Sequence, residues 1–204
     1  MHLHEALAQV SEIRLRVAQT ETFRGYRSAT VAFSGFMALT GALAQTVWIP
    51  EPLDHVTAYL GLWIGIAVVC VVTVGTELTV RCRLARSALA RQMTVLAVEQ
   101  FSPCVFAGAL ITYAMVRFAT ESVWMLPGVW AIVFSLGVFA SWRLLPKAIF
   151  WVGVFYMAAG VLCLVFARGD AALSPWTMVA TFGVGQLATA VILYFALERP
   201  HGHA

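Results

Sequence analysis

Long uncharged apolar runs recur along this sequence, and no soluble fold can hide them all. A run of about 20 apolar residues forms a helix that crosses a hydrocarbon layer roughly 30 Å thick. Six such runs can be drawn, at residues 29–48, 56–74, 101–116, 123–142, 148–167 and 176–197. Hydrophobic residues make up 61% of the 204 positions and charged residues 11%, against about 45–50% and about 25% in soluble domains. The runs do not alternate apolar and polar residues, which excludes a transmembrane β-barrel. The chain therefore reads as an all-α integral membrane protein, a six-transmembrane-helix bundle.

The basic residues predict how such a bundle is oriented. With the N-terminus inside, the inner side holds Arg14, Arg16, Arg24, Arg27, Arg81, Arg83, Arg86, Arg91, Arg143, Lys147 and Arg199, and the outer side only Arg117 and Arg168. Positive charge stays on the cytoplasmic side, so both termini are expected there, in a cell inner (plasma) membrane. Trp48, Trp124, Trp142 and Trp176 fall near span ends, where an amphipathic ring prefers to sit. The net charge of +3 is thus a topology signal, and no nucleic-acid-binding module accompanies it. A cleaved signal peptide is disfavoured. Arg24 and Arg27 do precede an apolar run ending in Ala42-Leu43-Ala44, but the polar leader is long and the run continues to Trp48.

Two polar segments divide the chain. Residues 1–28 place Leu3, Leu7, Val10, Ile13 and Val17 at helical spacing among charges, the pattern of an amphipathic cytoplasmic segment. Residues 77–100, between transmembrane helices 1–2 (29–76) and 3–6 (101–197), contain no Gly or Pro and place Val80, Leu84, Ala88 and Leu89 opposite Arg81, Arg83, Arg86 and Arg91. This Arg-rich helical linker is expected to face lipid head groups or to dock a protein partner. Residues 198–204 form a cytoplasmic tail.

The order of features hints at a 3+3 inverted repeat. Val31–Phe36 reads VAFSGF and residues 132–137 read IVFSLG; residues 59–63 read YLGLW and residues 151–155 read WVGVF. Ser102-Pro103 and Ser174-Pro175 each stand at or near the start of an apolar run, where Pro is tolerated in a first helical turn. If the halves are related, three spans per unit force the second copy to be inverted, as in many transporters. Apolar segments also match by chance, and Met157 stands where the second glycine of Gly61-x-x-x-Gly65 would recur.

Chemistry-bearing motifs are sparse. No phosphate loop, metalloprotease helix or nucleophile elbow occurs. His2, His4, His201 and His203 are read as solvated terminal residues, and no metal or cofactor is implied. Cys70, Cys104 and Cys163 lie inside spans and Cys82 on the reducing side, so none is read as a disulfide partner. The spans contain no ionisable Asp, Glu, Lys, Arg or His, which argues against ion-coupled chemistry. Gln186, near the middle of the last span, should face the bundle interior, with Thr181, Gly185 and Thr189 on one face of the same helix. Tyr113 is a further candidate, and Thr112, Ser34, Ser135 and Gln45 are weaker ones. The third span is short at 16 residues. If its helix begins near Met93, Glu99 enters the bilayer and joins the candidate substrate-binding residues, with Glu77 a possible second acid; otherwise Glu99 is an interfacial acid near a helix start.

Two function classes fit these features. One is a small permease or channel-like bundle for an uncharged or weakly polar solute. The other is a non-transporting sensor, scaffold or accessory subunit that docks a cytoplasmic or membrane partner. The lipid bilayer is the certain partner, and a homo-oligomer is open. An intramembrane enzyme is disfavoured, because no cluster of catalytic side chains can be assembled from the spans.

Overall fold

The computed structural model describes residues 28–84 and 88–198. Among them there is no strand; six helices carry the chain. They are α1 (Ser28–Trp48), α2 (Val56–Leu84), α3 (Ala88–Phe118), α4 (Leu126–Ser141, led in by a 3-10 turn at Thr120–Met125) and α5 (Ile149–Phe166). The sixth rod, α6, is assembled from Pro175–Met178, a π-wound turn at Val179–Gly183, Val184–Leu193 and a second π turn at Tyr194–Glu198. Six helical stretches are long and apolar enough to span a bilayer: Ser28–Trp48, Val56–Val80, Val95–Phe118, Thr120–Ser141, Ile149–Phe166 and Pro175–Ala196. The protein is a multi-pass helical membrane protein.

These stretches match the expected runs closely, with two corrections. The span Val56–Val80 takes in Glu77 and the span Val95–Phe118 takes in Glu99, so the expectation that no ionisable residue lies in a span does not hold. The third helix does not begin at Phe101; it begins at Ala88 and carries Pro103 in its interior. An interior proline lacks the N–H that would bond the carbonyl four residues back, which here is that of Glu99. The Ser102 hydroxyl donates to this carbonyl at 3.2 Å, replacing the missing donor. Only the second Ser-Pro opens a helix: Pro175 occupies the first turn and Ser174 the cap position, without a side-chain capping bond. Of the polar stretch 77–100, residues 77–84 lie in α2 and 88–100 in α3, while 85–87 lie outside the described residues. At 29 and 31 residues, α2 and α3 exceed the roughly 20 that a bilayer requires. The amphipathic segment 1–27 and the tail 199–204 lie outside the described residues.

Packing follows chain order around a ring. The most extensive contacts join α1 to α6 and α4 to α5, followed by α3 to α4; α2 meets α3 only lightly. Hydrophobicity cannot bring these helices together in lipid, so close backbone approach and shape must do so. At the tightest crossing a Cβ on Gly160 would stand 2.7 Å from the Gly128 carbonyl, and one on Gly128 2.9 Å from the Gly160 carbonyl. Only glycine fits on either side of that seam. By contrast, the faces of α2 and α3 that carry Val68, Val72, Phe106 and Leu110 are exposed, as lipid-contacting surfaces should be.

Two buried clusters fill the bundle. One, at the end where α1 finishes and α2 begins, joins Ala38, Ala42, Tyr59, Leu60, Trp63, Val123, Leu126, Leu173 and Met178. The other lies toward the opposite end, around Val31, Ala131, Val138, Ile149, Val152, Tyr156, Ala190 and Leu193. An aromatic chain runs through the second: Phe134 stacks edge-on to Phe101 at 5.3 Å and lies 4.7 Å from Tyr156, whose ring is 5.6 Å from Phe182. Four helices, α3 to α6, are pinned together by these rings.

Candidate functional site

The fully buried polar side chains among the described residues are uncharged. Among the described residues the buried ones are Ser28, Ser34, Gln45, Thr112, Ser135, Ser141 and Thr181, joined by the hydroxyls of Tyr59 and Tyr156. Most are tied down. Thr181 donates to the Thr177 carbonyl at 2.8 Å, Thr189 to that of Gly185 at 2.7 Å, and Ser135 to that of Ile132 at 2.7 Å. Such bonds to the preceding turn satisfy a hydroxyl within its own helix. Thr112 also bridges helices, accepting from the Trp130 indole at 2.8 Å.

One buried network ties three elements. The Trp63 indole N–H of α2 donates to the Gln45 side-chain oxygen of α1 at 2.8 Å, and the Gln45 amide donates to the Leu173 carbonyl at 2.8 Å. Gln45 is fully enclosed. From the sequence it ranks only among the weaker polar candidates. The signal that could have raised it is chemical: an amide in an apolar run needs partners, and the nearby Trp63 supplies an N–H.

The expected site residues are not gathered into one place. Thr181 is buried on the α6 face that meets the bundle, and Thr189 shares that face half-buried. Gln186 is half-buried, with no hydrogen-bond partner among the described residues. Tyr113, a polar candidate from the sequence, lies on an outward face of α3, 64% exposed. Glu99 lies within the span Val95–Phe118, as the earlier helix start implies. It is nevertheless exposed, with no ion-pair partner among the described residues. Glu77 behaves differently: it is half-buried and accepts a hydrogen bond from the Thr30 hydroxyl of α1. Arg83 is exposed. The side chains of Arg81 and Arg91, and Arg86 altogether, lie outside the described residues, as do His2, His4, His201 and His203.

What sequence reasoning missed are the two tyrosines. Tyr59 and Tyr156 have no exposed surface, and neither hydroxyl has a partner among the described residues. The Tyr59 hydroxyl lies within electrostatic range of the Cys163 thiol of α5. The Tyr156 hydroxyl presses on Gly185, where a Cβ would lie 2.5 Å from the oxygen. Gly185 thus serves as a seat for a phenol between Thr181 and Thr189. A shallow groove on the outward side of α4 and α5, lined by Phe139, Val154, Met157, Ala158, Val161 and Leu162, is almost wholly apolar and offers nothing to a polar solute. No group of three or more His, Cys, Asp or Glu lies together among the described residues. Comparison with protein families, curated proteins and solved structures finds no match for this chain.

Proposed function

We propose that this protein is a small permease or channel-like bundle for an uncharged or weakly polar solute. The observation that carries this reading is that the fully buried polar groups among the described residues, from Gln45 through Thr181 to Ser135, carry no charge, while Glu77 is only half-buried and Glu99 is exposed. Proton and ion pathways place ionisable residues inside the membrane; hydroxyls and an amide suit neutral hydrogen-bonding solutes. Thr181, Thr189 and Gln186 on α6 form the interior of the proposed route, and Glu99 stands at its mouth. The seat is a cell inner membrane with both termini and the Arg-rich ends of α2 and α3 in the cytoplasm, following the Lys/Arg asymmetry. Reporter fusions after Arg91 and at the C-terminus should both report cytoplasm.

The inverted repeat belongs to the same reading. Exchanging the halves carries the α1–α6 pairing onto α4–α3, and both pairs pack extensively. The two Ser-Pro dipeptides no longer support it, since they serve different purposes.

Osmotic swelling of proteoliposomes in glycerol and in urea tests the proposal. Swelling faster than in protein-free vesicles is expected, without accompanying proton movement. Equal rates overturn it and favour the second reading, a membrane sensor, scaffold or accessory subunit. That alternative has its own support: only 17% of the α2 span and 11% of the α3 span are buried, leaving broad faces for a partner helix. Purification in mild detergent with one stoichiometric partner would establish it.

A further inference from the structure

An O–H enclosed in apolar surroundings without an acceptor is costly, so folded proteins leave few such groups and each needs an explanation. Among the described residues two hydroxyls stand so, those of Tyr59 on α2 and Tyr156 on α5. Tyr156 stands midway along the span Ile149–Phe166, against Gly185, which is midway along Pro175–Ala196. Two helical turns further along the same face of α5 is the buried Cys163, within electrostatic range of the Tyr59 hydroxyl. The buried Thr181 of α6 occupies the intervening depth, one turn before Gly185. Here α6 is π-wound, at Val179–Gly183, a local irregularity that recurs at functional sites.

We infer that the α5–α6 seam is a water path captured closed, in which the two phenols donate to water, or to the oxygen of a small neutral solute, when the seam parts. The tight seat of the Tyr156 hydroxyl on Gly185 leaves the closed form dry, and the parted form supplies the acceptors that the closed form lacks. The inference rests on the permeation reading for the passenger, but for water it stands on the geometry alone.

Cys163 is the built-in reporter, because a thiol reacts as the thiolate, and an apolar dry site suppresses that form. The full chain carrying Cys70→Ala, Cys82→Ala and Cys104→Ala, reconstituted in liposomes, is treated with N-ethylmaleimide. This reagent crosses lipid, so the rate reports opening and hydration of the seam at the thiol and not the side from which reagent is added. Cys163 should be alkylated without denaturant, and Tyr59→Phe or Tyr156→Phe should slow the reaction by about tenfold, the loss of one hydrogen bond to the open form. A parallel chain retaining only Cys104, which packs against Gly137 between α3 and α4, should be insensitive to both phenol substitutions. Cys163 that reacts only after denaturation overturns the inference, as does a rate that the phenylalanine variants leave unchanged. Glycerol-driven swelling with inert Cys163 would retain permeation by another route and reject this one. Phenol-dependent alkylation without swelling would retain the hydrated seam and reject permeation.

Discussion

The indole N–H of Trp63 donates to the Gln45 side-chain oxygen at 2.8 Å, and Gln45 passes the connection on to the Leu173 carbonyl at the same distance. One enclosed amide therefore joins α1, α2 and the entry to α6. Replacing it with an apolar residue orphans a donor and an acceptor together.

Gln45→Leu should accordingly be the most damaging polar-to-apolar change in the bundle. Buried groups left unpaired cost about 1–3 kcal/mol each, although interhelical hydrogen bonds in membrane proteins average only about 0.6 kcal/mol. We expect about 2 kcal/mol in detergent unfolding, because both neighbours lose their partner. Trp63→Phe in the Gln45→Leu background should cost less than in the parent, since no indole N–H then remains to be satisfied. Additive losses in that double-mutant cycle would show the two residues to be uncoupled.

Ser102 and Pro103 predict a reversal of sign. Ser102→Ala leaves the Glu99 carbonyl without its donor and should lower stability by about 0.5–1 kcal/mol. Adding Pro103→Ala returns a backbone N–H to the helix, so the double variant should match or exceed the parent in thermal midpoint. Ser174→Ala should have a smaller effect, since that serine makes no capping bond. A double variant weaker than Ser102→Ala alone would refute this account.

The glycines should divide into two groups. Gly160→Val drives a side chain into the Gly128 carbonyl, 2.7 Å from the added Cβ, and should prevent α4 and α5 from closing, read as loss of a monodisperse folded species. Gly61→Ala meets nothing within 4 Å and should be neutral or stabilising by roughly 0.5–1 kcal/mol through helix propensity alone. Destabilisation by Gly61→Ala would show that the lipid-facing side of α2 is occupied.

Two polar candidates should separate in the swelling assay. Glu99→Gln changes an exposed carboxylate with no ion-pair partner among the described residues, and flux should stay within about twofold, less than the loss of one hydrogen bond would cause. Gln186→Leu removes a half-buried amide on the proposed route, and flux should fall while thermal stability holds or rises. The opposite ranking would move the site to the mouth of α3.

The number of spans and their approximate limits were legible in the sequence alone, because hydrocarbon imposes one rule that acts locally: a helix must be apolar for about 20 residues. Interior faces were not legible. A helix apolar all round has no amphipathic stripe to tell core from lipid, so nothing in the sequence marks Tyr113 as facing out. Gln45 finds partners 18 and 128 residues away, a pairing that no local pattern encodes. The same holds for glycine: Gly61-x-x-x-Gly65 has the spacing of a packing motif and meets nothing, whereas Gly128 and Gly160, 32 positions apart, bring two backbones into contact. Ser-Pro, identical in sequence, mends a helix at Ser102 and opens one at Ser174. Hydropathy sets which segments enter the membrane. Inside it, where lipid and side chains are equally apolar, only the fit of one helix against another decides which residues meet.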